Sequence, residues 1–159
     1  MCIWLKILPI IVFSSSICTA QSKKEVKKNG IKVTSVSDLE NGKVMQTKKT
    51  VFDKSGETIE ETDYDKNGNL NTIRKYKYNK AGDVTEEEEY DAKTKITQNK
   101  IYSYNAMGEK TQELITDNTG KKIKTHIYTY NAKGLKAEKK TIDANGNTIC
   151  IRTFTYQFK

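Results

Sequence analysis

The sequence has little of what most enzymes and disulfide-rich proteins depend on. It contains one histidine, His126, one proline and three cysteines, and two of the cysteines lie in the first twenty residues. If those residues are removed, Cys150 remains alone and no internal disulfide can form. The chain carries no Gly-x-Ser-x-Gly elbow, phosphate-binding loop or Cys-x-x-Cys pair. We therefore expect a protein that is not an enzyme and holds no cofactor.

The first twenty residues have the pattern of a secretory signal peptide. One positive charge, Lys6, precedes an apolar run from Ile7 to Phe13, and small residues follow up to Ala20. This order predicts cleavage after Ala20 and export to the periplasm, the cell surface or the medium. A lipoprotein signal with Cys18 as the lipidated residue is the alternative, but Ile17 stands where a small residue is usual. The run is shorter than the about 20 residues that span a bilayer, and we expect no transmembrane segment in the mature chain.

The chain after the leader has the length and charge pattern of one soluble domain. Residues 21–29 form a basic polar N-terminal segment, and residues 30–159 carry a repeat. Without Lys6 the chain has 27 basic and 20 acidic residues, a net charge of +7. The charges are interleaved along the sequence, which favours a solvated surface over a nucleic-acid site. Nucleic acid is therefore not an expected partner.

Glycines recur at alternating spacings of 12 and 14 residues, which defines a period of 26 residues with two unequal halves. Residues 50–75, 76–101, 102–127 and 128–153 align without a gap, and Thr94 stands where the series lacks a glycine. The copies share the motif aromatic-x-Tyr-Asn-x-x-Gly in one half and x-Asp-x-x-Gly in the other. The glycines of the series are Gly30, Gly42, Gly56, Gly68, Gly82, Gly108, Gly120, Gly134 and Gly146.

Each half of the period has the pattern of a strand followed by a tight turn. Asp or Asn three residues before Gly favours a type I turn, and the Gly supplies the positive φ that closes a hairpin with a bulge. Eight to ten residues rich in Thr, Ile, Tyr and Val lie between the turns. The sequence thus predicts an all-β fold: an antiparallel meander of β-hairpins with about ten strands. We expect an extended, twisted or curled sheet, with a closed sheet as the alternative.

Turn closure also predicts a strand register. It places Glu60 opposite Arg74 and Glu86 opposite Lys100, as ion pairs across neighbouring strands. It assigns eight tyrosines to one face and eight isoleucines to the other, and we expect the sheet to curl over the isoleucine face. The tyrosines are Tyr76, Tyr78, Tyr90, Tyr102, Tyr104, Tyr128, Tyr130 and Tyr156; the isoleucines are Ile59, Ile73, Ile101, Ile115, Ile123, Ile127, Ile149 and Ile151.

The Tyr-x-Tyr-[Asn/Asp]-x-x-Gly unit resembles the YD repeat of Rhs-type bacterial surface and toxin-shell proteins. The resemblance covers residues 50–159. The chain more closely resembles short exported bacterial proteins of unknown function that carry degenerate copies of this repeat. The resemblance implies β-hairpins joined into extended sheets and a role outside the cytoplasm. The family usually has Arg after the Gly, whereas this chain has Asp83, Glu109 and Leu135 there. This chain also has only four or five hairpins, which are too few to enclose a cargo.

The tyrosine array is the candidate binding site. Rings on a rigid sheet with charged residues between them suit stacking on sugars or contact with a protein, although the same rings would also stabilise the sheet by packing. The array comprises Tyr76, Tyr78, Tyr102, Tyr104, Tyr128 and Tyr130.

Two acidic motifs could be read either as metal sites or as ordinary structural elements. Residues 63–68, DYDKNG, open like a calcium-binding loop, but Arg74 stands at the twelfth position, where a glutamate is required. Residues 86–89 are four consecutive glutamates, which in a strand alternate between faces and favour a ladder of ion pairs. We therefore expect no metal site at either motif.

These observations predict a non-enzymatic exported β-repeat module of the bacterial cell envelope that binds a glycan or an envelope protein, or has a structural role. A small exported hydrolase that uses paired carboxylates is one alternative, and it requires a raised carboxyl pKa in a cleft. A subunit that associates through the edges of its sheet is the other alternative.

Overall fold

The computed structural model describes residues 22–159, and the predicted leader lies outside that range. These residues form one short helix and ten strands in a single antiparallel sheet whose order follows the chain. The all-β hairpin meander is therefore confirmed, and the sheet is open because β1 pairs only with β2 and β10 only with β9. The elements are α1 (Lys23–Asn29), β1 (Val33–Glu40), β2 (Lys43–Phe52), β3 (Thr58–Tyr64), β4 (Leu70–Tyr78), β5 (Val84–Asp91), β6 (Ile96–Tyr104), β7 (Lys110–Asp117), β8 (Lys122–Tyr130), β9 (Lys136–Asp143) and β10 (Thr148–Thr153).

The repeated turns close through one set of hydrogen bonds, shown by the turn that begins at Asn105. Its side-chain Oδ1 accepts the backbone N–H groups of Met107 at 3.0 Å and Glu109 at 2.9 Å. The N–H of Gly108 donates to the Asn105 carbonyl at 3.0 Å, and Gly108 has a φ of 78°. The side chain thus satisfies the turn's backbone donors, while the glycine adopts a left-handed conformation that other residues adopt only with strain.

Two hairpins close differently from the others. Asn41 and Gly42, with φ of 51° and 76°, form a two-residue turn between β1 and β2, as the Asn-Gly pair favours. Between β5 and β6, where the glycine is missing, Asp91 accepts the N–H of Thr94 at 2.8 Å. The left-handed residue there is Lys95, with a φ of 57°.

The predicted register is wrong by one residue over most of each hairpin. Arg74 lies opposite Glu61 rather than Glu60, and Lys100 lies opposite Glu87 rather than Glu86. In the β3–β4 hairpin Tyr64 pairs with Leu70, and the register shifts between Tyr64 and Asp63. A bulge places two residues of one strand opposite one residue of its partner, so every later pair moves by one position.

The predicted assignment of faces is also partly wrong. Tyr90 pairs with Ile73, on the face opposite Tyr76, while Ile115 pairs with Lys100 on the face that carries Tyr102. We call this surface, which bears Tyr76, Tyr102 and Tyr128, the tyrosine face. It is the more buried one: Ile115 is 4% exposed and Tyr128 7%.

The sheet does not cover its isoleucines, contrary to the expectation. Five of them are between 37% and 61% exposed: Ile59, Ile101, Ile123, Ile149 and Ile151. Among the described residues the buried hydrophobic side chains are those of Val26, Ile115 and Tyr128. A single sheet has no second layer to pack against, so cross-strand contacts within each face supply most of its side-chain packing.

The basic segment at residues 21–29 contains a helix that the sequence analysis did not predict. Ser22 caps it in a reciprocal pair with Glu25, and Gly30 ends it with a φ of 63°. Val26 is 1% exposed, and Lys23 forms an ion pair with Glu57. The helix thus packs on the turn between β2 and β3.

Contact between the helix and this turn is tight. A Cβ at Gly56, in the β2–β3 turn, would approach the backbone oxygen of Lys23 to 2.7 Å. Glycine is therefore required at this position both by φ and by packing.

No helix in residues 22–159 has the length and apolar content needed to cross a membrane.

Candidate binding surface on the tyrosine face

The first tyrosine of each Tyr-x-Tyr pair donates a hydrogen bond to a glutamate fifteen residues earlier. The three bonds join Tyr76 to Glu61 at 3.2 Å, Tyr102 to Glu87 at 2.7 Å and Tyr128 to Glu113 at 2.7 Å. Each bond links one copy of the repeat to the preceding one. These hydroxyls are therefore part of the scaffold.

The second tyrosine of each pair donates to a backbone carbonyl twenty residues earlier. Tyr78 bonds to Thr58 and Tyr104 to Val84, each at 2.6 Å, and both acceptors lie just after a turn. Tyr130 and Tyr156 form the same bond to Lys110 and Lys136, each at 2.8 Å. The phenol thus satisfies a carbonyl near the bulge that follows each turn.

These environments raise the pKa of every tyrosine in the candidate array. Burial raises the pKa of Tyr78 to about 12, with further contributions from Glu57, Asp53 and Glu61. Burial also raises the pKa of Tyr102, and the hydrogen bond to Glu87 adds to the effect. The phenols therefore remain protonated donors at neutral pH.

The four consecutive glutamates form the ladder of ion pairs that the sequence predicted, with partners shifted by one residue. On the face opposite the tyrosine face, Glu86 pairs with Lys77 at 2.6 Å and Glu88 with Lys75 at 3.1 Å. On the tyrosine face, Lys100 joins Glu87 at 2.7 Å and Glu89 at 3.0 Å, and Arg74 bonds to Glu89 at 3.3 Å.

The carboxyl of Glu89 is held in its ionised form. Burial alone would raise its pKa, but the hydrogen bond and charge of Lys100, with Arg74, lower the pKa below its usual value. Glu113 behaves in the same way, since Tyr128 and Lys110 lower its pKa. Neither carboxyl has the raised pKa that a general acid needs at neutral pH.

The possible calcium motif is divided between two structural roles. Asp63 pairs with Arg74 at 2.8 Å. Asp65 accepts the backbone N–H groups of Asn67 at 2.8 Å and Asn69 at 2.9 Å within its turn. The two carboxylates are thus committed to different partners, and residues 22–159 contain no group of three potential metal ligands.

At the C-terminal end of the repeat both members of the tyrosine–glutamate pair are replaced. Phe154 stands where the earlier copies have the tyrosine, and Lys139 stands where they have Glu61, Glu87 and Glu113. Lys139 lies between Tyr128 and Arg152 on the tyrosine face. The change therefore removes a carboxylate and introduces a cation beside another cation.

Three lysine ammonium groups surround the ring of Tyr128. Lys136 lies 4.7 Å from the ring centroid, Lys110 5.3 Å and Lys139 5.6 Å, within the range of cation–π interaction. We call these three residues the lysine cluster. Its nearest carboxylate is Glu113, which lies 3.4 Å from Lys110 and accepts the Tyr128 hydroxyl.

The structure thus brings the predicted tyrosines together on one face but engages their hydroxyls internally. Tyr128 is buried, and the other five are half-buried, so the rings are not free stacking platforms. The lysine cluster was missed by the sequence analysis. The signal for it is the joint change of Tyr to Phe154 and Glu to Lys139, two positions fifteen residues apart.

Comparisons with known proteins add little to this description. No family model matches the chain, and no curated protein matches it. A solved structure of a protein of unknown function from Bacteroides fragilis is similar over 80% of this chain and 95% of its own, with 14% identity and a TM-score of 0.17. At that TM-score the similarity supports no conclusion about this chain.

Proposed function

We propose that this chain is a non-enzymatic, exported β-repeat module of the bacterial cell envelope that binds a glycan or an envelope protein. The observation that carries the proposal is the single-layer sheet, in which three hydrophobic side chains are buried among the described residues. Such a sheet offers two broad accessible faces. That architecture suits a binding surface or a structural element better than an enclosed reaction site.

The chemistry of the tyrosine face supports a role other than hydrolysis. The half-buried carboxyls of Glu89 and Glu113 have lowered pKa values, whereas glycosidic hydrolysis needs one carboxyl that stays protonated near neutral pH. The leader pattern supports export, and the Tyr-x-Tyr hairpins support a relationship to YD repeats. Both remain parts of the proposal.

Cell fractionation tests the export half of the proposal. An epitope placed after Lys159 would be followed in the cytoplasm, envelope and medium of a bacterial host, and mass spectrometry would identify the first residue. We expect a mature chain that begins at Gln21 outside the cytoplasm. Replacement of Ile11 and Val12 by Asp in the leader should block export, and an uncleaved, cytoplasmic wild-type chain would contradict the proposal.

An assembly role is the second candidate, and the edge strands favour it. Every residue of β10 is exposed, including Ile149 at 61% and Ile151 at 56%, and β1 is exposed at all but one position. Unprotected edges of this kind pair readily with other strands. Sedimentation across a wide concentration range should then show association that Ile151→Lys reduces. A monomer at all concentrations would exclude this candidate.

A further inference from the structure

We infer that the lysine cluster, with the aromatic residues beside it, is a binding site for the anionic groups of an acidic glycan. The inference deepens the proposed function, on which its choice of a glycan rests. The repeat itself, the local charge and the neighbouring aromatic rings support it.

Internal comparison shows what the scaffold needs at this position. Three copies use a glutamate there to accept a tyrosine hydroxyl, at 2.7–3.2 Å. The fourth copy has Lys139 at this position, and Phe154, which directly follows that copy, replaces the tyrosine, so both members of the pair are absent. A simple loss of the bond would not require a positive charge. The reversal to lysine therefore indicates a role that the scaffold alone does not explain.

The local charge is unbalanced. Lys139 lies directly opposite Arg152 across β9 and β10, an arrangement of like charges that destabilises a sheet. Within residues 22–159, Lys110 is the member of the cluster that pairs with a carboxylate, Glu113. In the middle copies, by contrast, Lys100 is neutralised by two glutamates. A bound anion would relieve the repulsion between these cations.

The cluster is also positioned before any ligand arrives. All three ammonium groups lie within 5.6 Å of the ring centroid of Tyr128, which is 7% exposed and fixed by its bond to Glu113, and Lys110 also lies 4.5 Å from the ring of Tyr102. Contact with the ring restricts the lysine side chains and lowers the entropy lost when they bind. The positive field reaches His126, whose pKa is lowered by burial and then by Lys139.

Aromatic rings next to the cluster favour a sugar over a simple anion. Phe154 lies 5.9 Å from the ammonium of Lys136, and Phe158 lies 3.8 Å from that of Lys133, a residue outside the cluster in the turn that precedes Lys136. Phe158 is 63% exposed, so much of this side chain is accessible to a ligand. A ring beside cations offers stacking to a sugar and charge pairing to its acidic group.

The test measures binding of the purified protein to polygalacturonate, which carries carboxylates, and to phosphomannan, which carries phosphates. Neutral dextran is the uncharged control, and calorimetry is repeated at low and high salt. We expect binding to one or both acidic polymers, a weaker interaction at high salt because of screening, and none to dextran. Binding to either polymer identifies the group recognised; binding to neither overturns the inference.

Variants locate the site. Lys139→Glu should weaken binding at least tenfold, while Lys66→Glu, the same charge change in an exposed turn far along the sheet, should weaken it less than twofold. The double variant K139E/F154Y should restore the pair seen in the middle copies, so we expect it to keep the stability of the fold and to lose the binding. Equal losses in Lys139→Glu and Lys66→Glu would overturn the inference. Binding to dextran as strong as to the acidic polymers would overturn the anionic site but leave the proposed glycan-binding function standing.

Discussion

The middle copies of the repeat and the last copy use the same backbone for different side-chain chemistry. In the middle, Tyr102 donates to Glu87, and Lys100 joins that carboxylate, so charges and hydroxyls satisfy one another. At the last copy, Lys139 and the Phe154 that follows the copy stand in place of that pair, and β10 is exposed throughout. The comparison indicates that the middle copies build the scaffold, whereas the last copy departs from it at the site where we propose that a ligand binds.

The largest expected effect separates buried from exposed isoleucines in the two regions. Ile115→Ala on β7 should lower the free energy of unfolding by about 2–3 kcal/mol, because the residue is 4% exposed and its removal leaves a cavity. Ile151→Ala on β10 should cost less than about 0.5 kcal/mol, because the residue is already 56% exposed. Chemical denaturation measures both. Similar losses would mean that the last copy is as well packed as the middle.

A smaller effect is expected from the second tyrosine of the repeat. Tyr104→Phe removes a 2.6 Å bond to the carbonyl of Val84 at a half-buried site and should cost about 1–1.5 kcal/mol. Tyr156→Phe removes the equivalent bond to Lys136 at a site that is 41% exposed, where water can replace the donor. The difference in denaturation midpoint between the two variants measures the contrast. A larger loss from Tyr156→Phe would reverse the comparison.

The sequence predicts the architecture because the repeat fixes where the chain must turn. Glycines with Asp or Asn three residues earlier mark the closures, and the structure forms hairpins at those positions with the side-chain bonds shown for Asn105. A hairpin forms even where Thr94 replaces the glycine, because Lys95 adopts the left-handed conformation instead. Turn chemistry is local, so a single sequence is enough to specify it.

Register and face are harder to predict because they depend on one extra residue. A bulge beside Tyr64 shifts the later β3–β4 pairs by one, which moves Arg74 from Glu60 to Glu61. A separate register shift beside Tyr78, between β4 and β5, moves Tyr90 to the isoleucine face. Opposite charges on adjacent glutamates and lysines fit either register equally well. The charge pattern therefore could not reveal the error.

Two further features had signals that were not used. The sequence S-K-K-E at residues 22–25 is a capping box, and Gly30 ends the helix it begins, but seven residues of mostly lysine resemble a solvated segment. The lysine cluster depends on contacts between copies. An alignment of the copies shows the replacements at positions 139 and 154. Only the structure shows that the side chains at the two equivalent positions are hydrogen-bonded to each other in the earlier copies.

The smallest expected effect is the pH dependence of stability contributed by His126, which lies on β8 next to the lysine cluster. His126 is 8% exposed, and its Nδ1 lies 3.0 Å from the Thr141 hydroxyl. Burial lowers its pKa below 6.5, and three neighbouring lysines lower it further while one glutamate opposes them. The charged groups acting on it are Lys139, Glu113, Lys124 and Lys110.

Because the unfolded chain binds a proton at His126 more readily than the folded chain, stability should fall as pH drops from above 6.5 through the folded pKa. His126→Gln keeps a hydrogen-bonding side chain without a titrating group and should lose less stability between pH 7.5 and 5.5. The carboxyls with lowered pKa values, Glu113 and Asp143 among them, lose their contribution only below about pH 4.5, so the two windows separate. Unfolding free energies of the two proteins across this range are compared. Parallel curves would show that burial and the neighbouring lysines do not lower the pKa of His126 in the folded chain.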